Sequence, residues 1–404
     1  MKKKLFVMAF PALVALVSCS NDEMVQLSDG NAIKYQVNTG AISRAANVFC
    51  NNNKPSEFMV WANLTDNGST QPYIAGDRIK DENGAWSDVT GTRYWPNTGT
   101  LDFYAVVNGG TLNAETRALS KFTVASEVSA QQDLLYAVAT GQTKPATTAS
   151  SPVNLNFRHA LSQIVFKAKS KNQTLHIEVD GVAVGNLHNA AVFALPENST
   201  TGNIAHAIPN PGGTLASQGT WGSAEGAEVF KVSFNTKEIA YSSDGSTVTN
   251  LTDQEAHTAA SDFGKALLML PTTTTTAWSG TSKLEGIQSD RYAAKINDGT
   301  FILVKMAIWN VADLTTGKQN TDVLLYGNTA DDGTVTTRWA AIPASFTWEQ
   351  GKKYIYTLTF DKGNGGLDPD PDDPDPDPVL VKIEYEVKVD EFVKGNDTPI
   401  DMNK

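Results

Sequence analysis

Few side chains in this 404-residue sequence are spaced for chemistry, and two of them stand near its N-terminus. Cys19 closes the apolar run from Leu5 to Val17 behind Lys2, Lys3 and Lys4. That layout is a secretory signal, too short for the roughly 20 residues of a spanning helix. Arg44 lies in Ala41-Ile42-Ser43-Arg44-Ala45-Ala46, a basic residue among small ones in a stretch with little structural pull, where a protease can enter. His159, His176, His188, His206 and His257 lack the spacing that aims two imidazoles at one metal. No nucleophile elbow, Walker lysine or dinucleotide turn occurs, because Gly363-Asn364-Gly365-Gly366 runs into a Pro-Asp segment rather than a helix. No catalytic residue, metal or cofactor is expected, and the chain is not read as an enzyme. Cys50 is a lone thiol, more in keeping with a buried small residue than a reactive one.

The net charge of −12 excludes the basic footprint of a nucleic-acid binder. Part of the acid sits in residues 368–378, where aspartate and proline alternate. Such a run tends to stay extended, at about 3.1 Å per residue, and reads as a solvated spacer reaching roughly 34 Å. It lacks the turn glycine and closing glutamate of a calcium loop. Trp86, Trp95, Trp221, Trp278, Trp309, Trp339 and Trp348 could include sugar-stacking residues, although most tryptophans in a chain of this size belong to the core.

The elements that carry these residues are strands. Apolar runs are short, and turn pairs such as Asn67-Gly68, Asp180-Gly181 and Asp332-Gly333 recur. Strands are expected over residues 58–62, 101–107, 121–125, 134–138, 153–157 and 161–169. Further strands are expected over 176–179, 191–195, 230–234, 266–270, 292–296, 301–308, 323–326, 338–342 and 354–360. Residues 64–94 are expected to be hairpins and loops, and 253–263 is the best helix candidate. Strands of this length bury one face each by stacking two sheets, so the fold class is all-β. Beyond the Pro-Asp run, Val381, Ile383, Tyr385, Val387 and Val389 alternate with charged residues as in a half-buried strand. The same Ile-x-Tyr-x-Val pattern stands at Ile33, Tyr35 and Val37.

Leu16-Val17-Ser18-Cys19 resembles the bacterial lipobox, in which the cysteine is acylated and becomes the mature N-terminus. Ser20-Asn21-Asp22-Glu23 resembles the acidic signal that sends lipoproteins of Bacteroidales to the cell surface. Farther on, the sequence resembles the fimbrillin family of type V pilins and pilin-like lipoproteins. The motifs are Tyr94-Trp95-Pro96 with Leu101-Asp102-Phe103-Tyr104-Ala105, then Gln132-Asp133-Leu134-Leu135-Tyr136-Ala137, and Leu155-Asn156-Phe157-Arg158-His159-Ala160. Leu267-Leu268-Met269-Leu270-Pro271 and Trp348-Glu349-Gln350-Gly351-Lys352 complete them.

That resemblance implies two tandem transthyretin-like β-sandwich domains. The division is a lipoprotein signal peptide (1–18), a propeptide with the first strand (19–44), an N-terminal sandwich (45–170) and a C-terminal sandwich (171–363). A Gly/Pro-Asp linker (364–378) and a donor-strand segment (379–404) follow. It further implies lipidation at Cys19 and anchoring in the outer membrane. An arginine-specific protease would cut between Arg44 and Ala45 and displace the strand bearing Ile33, Tyr35 and Val37. Donation of Val381, Ile383, Tyr385, Val387 and Val389 to another fimbrial subunit would then build a surface fimbria. The long Pro-Asp linker departs from the family pattern. A strand that replaces another must present the same side chains at the same spacing, because a one-residue slip turns its apolar face outward. The alternative from a different class is a monomeric, surface-anchored glycan-binding or adhesin lipoprotein whose last strand belongs to its own sandwich.

Overall fold

The computed structural model describes residues 31–39, 55–82, 85–146, 151–200, 218–252, 266–372 and 375–391. Cys19, Arg44, Ala45, Cys50 and the helix expected at 253–263 lie outside them. The described chain is nearly all β, with only short 3-10 turns besides.

Seven strands form the first sheet. They are β1 (Tyr35–Thr39), β2 (Glu57–Asp66), β3 (Ser69–Glu82), β4 (Ala85–Asp88), β5 (Thr100–Val107), β6 (Leu135–Gln142) and β7 (Val153–His159), in the order β1-β7-β6-β5-β2-β3-β4. The stretch expected to be hairpins and loops at 64–94 holds the end of β2, the 14-residue β3 and β4, joined as two antiparallel hairpins. Residues 69–72 of β3 are solvent-exposed while Ile74, Asp77 and Ile79 turn inward. β5 and β6 are covered on both faces. Phe103, Ala105, Val107, Leu135 and Ala137 join one apolar cluster, and Tyr104, Val106, Tyr136 and Val138 join another. Double coverage explains why their sequences read as nearly unbroken apolar runs instead of alternating ones.

Two further sheets stack as a sandwich. In the second sheet β8 (Ser162–Ser170) pairs in parallel with β15 (Lys352–Lys362), which pairs antiparallel with β16 (Val381–Glu391); β11 (Leu267–Met269) and the short strand Thr249–Asn250 flank β8. In the third, β9 (Leu175–Leu187) lies between β10 (Glu228–Glu238) and β12 (Phe301–Asn310). β13 (Val323–Tyr326) and β14 (Arg338–Pro343) complete it beside β12. Phe166, Tyr356, Leu358 and Phe360 from one sheet and Ile177, Val182, Phe230 and Val304 from the other share a single cluster. β8, which the sequence division assigned to the first sandwich, therefore changes over to the second sheet after Ala160 and Leu161. Residues 292–296 form no strand. The Lys295 amide bonds the Asn186 side chain at 2.8 Å and Tyr292 Oη donates to it at 3.1 Å, so side-chain contacts take the place of a ladder.

The Pro-Asp run departs most from expectation. Its described residues, 368–372 and 375–378, fold back toward each other instead of forming an extended spacer. Leu367 forms bridges to both Ala341 of β14 and Pro378, and the Asp368 amide bonds Asp377 O at 2.7 Å. Arg338 holds Asp368 at 2.7 Å, and Lys283 reaches Asp370 Oδ1 at 3.2 Å and Pro371 O at 2.6 Å. Asp370 also accepts from the Gly286 amide at 2.9 Å. Prolines bring no N–H to satisfy, so a docked segment of this composition leaves few orphan donors, and Arg338 and Lys283 balance Asp368 and Asp370. Burial pushes the Asp368 carboxyl up, and Arg338 pulls it back down. Both ends of the loop meet, which returns the chain to the edge of β15 as β16. Gly365 makes that return possible: a Cβ there would lie 2.4 Å from Ile383 N.

Candidate functional site

Residues 31–39 occupy a slot between two stretches of backbone. β1 pairs in parallel with β7, Tyr35 opposite Val153 and Val37 opposite Leu155. Just before β1, the Ile33 amide donates to Arg93 O at 2.8 Å and the Trp95 amide to Asn31 O at 2.9 Å. The segment thus bridges β7 and the residues that follow β4. Ile33, Tyr35 and Val37 all point into the first core, with Val37 fully enclosed. The Tyr35 ring meets Phe58 and Phe103 edge-on, at centroid separations of 6.0 Å and 6.1 Å. The three residues singled out by spacing are therefore brought together on one buried face.

The floor of the slot is polar in places. Asp77 is buried and held by a two-pronged ion pair from Arg93, whose second nitrogen sits 2.9 Å from Oδ1. Tyr35 Oη, Trp86 Nε1, Trp95 Nε1 and Asp88 Oδ2 are enclosed without a hydrogen-bond partner. Burial, reinforced by Asp88 and Asp77, pushes the Tyr35 phenol far up. Burial also raises the Asp88 carboxyl, which Asp77 raises further against the pull of the Thr90 and Gly91 amides. Asp77, Asp88 and Arg93 carried no sequence motif; only the fold around β1 brings them near Tyr35.

Asp88 sets a pH dependence. A carboxyl whose folded-state pKa is raised contributes stability in full below its unfolded value and loses it as pH rises through the folded value. Asp88→Asn is therefore expected to be nearly neutral at about pH 4 and stabilising at about pH 7. Urea midpoints of the two proteins at each pH measure this, and an equal difference at both would refute it.

The second half of the candidate site is β16. Its apolar residues Val381, Ile383, Tyr385, Val387 and Val389 stand opposite Lys362, Phe360, Leu358, Tyr356 and Tyr354 of β15. Cover fades along the strand. Ile383 is 3% exposed, Tyr385 is half-buried, and Val387 and Val389 are 44% and 52% exposed. The strand lies in its own chain's sheet, which spacing alone left open.

His206 and His257 lie outside the described residues. His159 pairs with Asp133 at 2.8 Å, and His176 lies between Glu178 and Glu238 at 3.0 Å and 3.3 Å. Among the described residues no group of three metal-ligating side chains converges. Trp86, Trp95, Trp278, Trp309, Trp339 and Trp348 are buried, and Trp221 is half-buried against the core. None offers the open face that sugar stacking needs.

Known proteins place the chain. No curated protein matches its sequence. Aligned over 90% of its length, the structure is similar to a fimbrial protein from Bacteroides vulgatus, covering 100% of that chain at 16% identity and a TM-score of 0.48. A candidate cell adhesion protein from Bacteroides uniformis aligns over 90% of this chain and 100% of its own, at 16% identity and a TM-score of 0.38. Another from Bacteroides ovatus aligns over 90% and 98%, at 13% and 0.41. The sequence itself is decisive: residues 43–372, most of the chain, match the family model described as fimbrillin-like. From Ser43 to Asp372, then, the chain belongs to the fimbrillin-like family.

Proposed function

We propose that this protein is a structural subunit of a surface fimbria, exported as a lipoprotein acylated at Cys19 and joined to its neighbours by strand exchange, with adhesion as the consequence. Cleavage between Arg44 and Ala45 frees β1 from its slot, and β16 of another copy or another fimbrial subunit fills it. Family membership supports the fimbrial role. The observation that carries the exchange is the contrast in cover between two strands of the same pattern. Val37 is fully buried in the slot, whereas Val387, its counterpart in Ile-x-Tyr-x-Val, is 44% exposed where it lies. A strand that moves from one ladder to another re-forms its backbone hydrogen bonds, so side-chain burial decides the difference. Each apolar side chain brought from exposure to full burial contributes about 1.5–3 kcal/mol. The four unpartnered polar atoms around the slot also weaken the hold on β1.

Treating the purified chain with an arginine-specific protease tests the proposal. Removal of β1 with Ala45 as the new N-terminus is expected to convert monomers or small assemblies into polymers on a sizing column. A cleaved chain that stays at its original size counts against strand exchange. The glycan-binding alternative is less favoured, since six of the seven tryptophans that could have stacked on sugar are buried and Trp221 is half-buried against the core.

A further inference from the structure

β16 ends its sheet. Among the described residues no strand pairs with its outer edge, and no backbone hydrogen bond outside the β15 ladder reaches it. Beyond Lys382 and Ile383, against which the Gly365 backbone lies, the strand offers an open edge carrying two exposed valines, a template for another strand. The pattern of charge on its solvent face selects that strand. Lys382, Glu384, Glu386, Lys388 and Asp390 run along it. Lys382 pairs with Glu384 and Lys388 with Asp390, each two residues along the same strand, and Glu386 accepts from Lys169 Nζ at 2.8 Å.

We propose that this edge pairs with the same edge of a second copy of the chain, antiparallel about a two-fold axis through Glu386. In that register Lys382 faces Asp390 and Glu384 faces Lys388, each twice by symmetry. On the core side Ile383 meets Val389 and Tyr385 meets Val387, so both exposed valines gain apolar neighbours. The two Glu386 carboxylates meet at the axis, each accompanied by its own Lys169. Neighbouring registers fail on charge. With the axis through Tyr385, Lys382 faces Lys388 and Glu384 faces Glu386; through Val387, Glu384 faces Asp390. A register that places core-face residues opposite charged ones would turn the valines out of the shared face. The second sheets of two molecules become one continuous sheet across the axis. An isologous contact of this kind closes on itself and stops at two copies. It uses β16 seated in its own sheet and so does not rest on strand exchange.

Sedimentation of the purified, uncut chain and of charge-reversed variants tests the pairing. The chain is expected to dimerise. Glu384→Lys alone, or Lys388→Glu alone, sets like charges against each other twice and is expected to weaken the dimer by about tenfold or more. Combining the two substitutions restores the opposition with the signs exchanged, and dimerisation is expected to return to within about threefold of the parent. Both side chains are well exposed, at 59% and 66%, so unfolding midpoints should match the parent throughout. A monomeric parent, a dimer indifferent to either single reversal, a double variant no tighter than the singles, or open-ended assembly of the uncut chain overturns the proposal.

Discussion

Val37→Asp is expected to expel β1 from its slot while the other six strands of the first sheet keep their ladders. Val37 is fully buried opposite Leu155, in a cluster with Phe58, Phe103 and Phe157. No described cation of the slot is free to receive a new carboxylate there, because Arg93 is already committed to Asp77. An unpaired buried charge costs about 3–5 kcal/mol, comparable with what docking a short strand contributes, so the strand leaves before the sheet unfolds. Hydrogen exchange reads this directly as lost protection over Tyr35–Thr39 with protection retained in β2, β5 and β6. Lys34→Asp is the control: Lys34 is exposed, and its replacement should change stability by no more than about 0.5 kcal/mol. Retained protection at Tyr35 in the Val37 variant would mean that the strand is held by something other than its apolar face. Under the strand-exchange proposal the same variant should also polymerise without cleavage at Arg44, since the slot is emptied by substitution instead of proteolysis.

Ile383→Asp is expected to peel β16 from β15, with a loss of about 2–5 kcal/mol, whereas Val389→Asp should cost under about 1 kcal/mol. The two positions share a strand, a face and a chemical change. They differ in cover. Ile383 lies opposite Phe360 with the Gly365-Gly366 backbone against it, and Val389 lies opposite Tyr354 with half its surface in solvent. Urea midpoints and amide protection across Lys352–Lys362 separate the cases. Equal losses at both positions would show that the strand is covered along its whole length, and equally small losses that it is not seated on β15 at all.

The contrast between these two strands marks where sequence stops being informative. Alternation located β10, β15 and β16, and it selected Ile33, Tyr35 and Val37 as one buried face, because side-chain period is a local consequence of strand geometry. It could not say which strand lies next to which. β8 reads the same whether it pairs with β7 or β15, and only the fold sends it to the second sheet. The turn pairs between 64 and 94 announced hairpins, but the bounds of β3 were not legible, because half of it faces solvent and carries no apolar alternation.

The Pro-Asp run shows a deeper limit. Composition correctly reports that such a segment has no ladder of its own. Whether it stays in solvent depends on partners distant in sequence, here Arg338, Lys283 and Ala341, which supply the cations and the backbone edge that dock it. The polar groups of the slot are a similar case, since Asp77, Asp88 and Arg93 come near Tyr35 only once β3, β4 and the following segment curl toward β1.

By itself, then, the sequence determined that the chain is built of strands and that two of them carry the same apolar triplet. Those are properties of residue type and local period. Tertiary structure alone decided that one triplet is enclosed and the other half open, because burial depends on what covers a face, and cover comes from residues far along the chain.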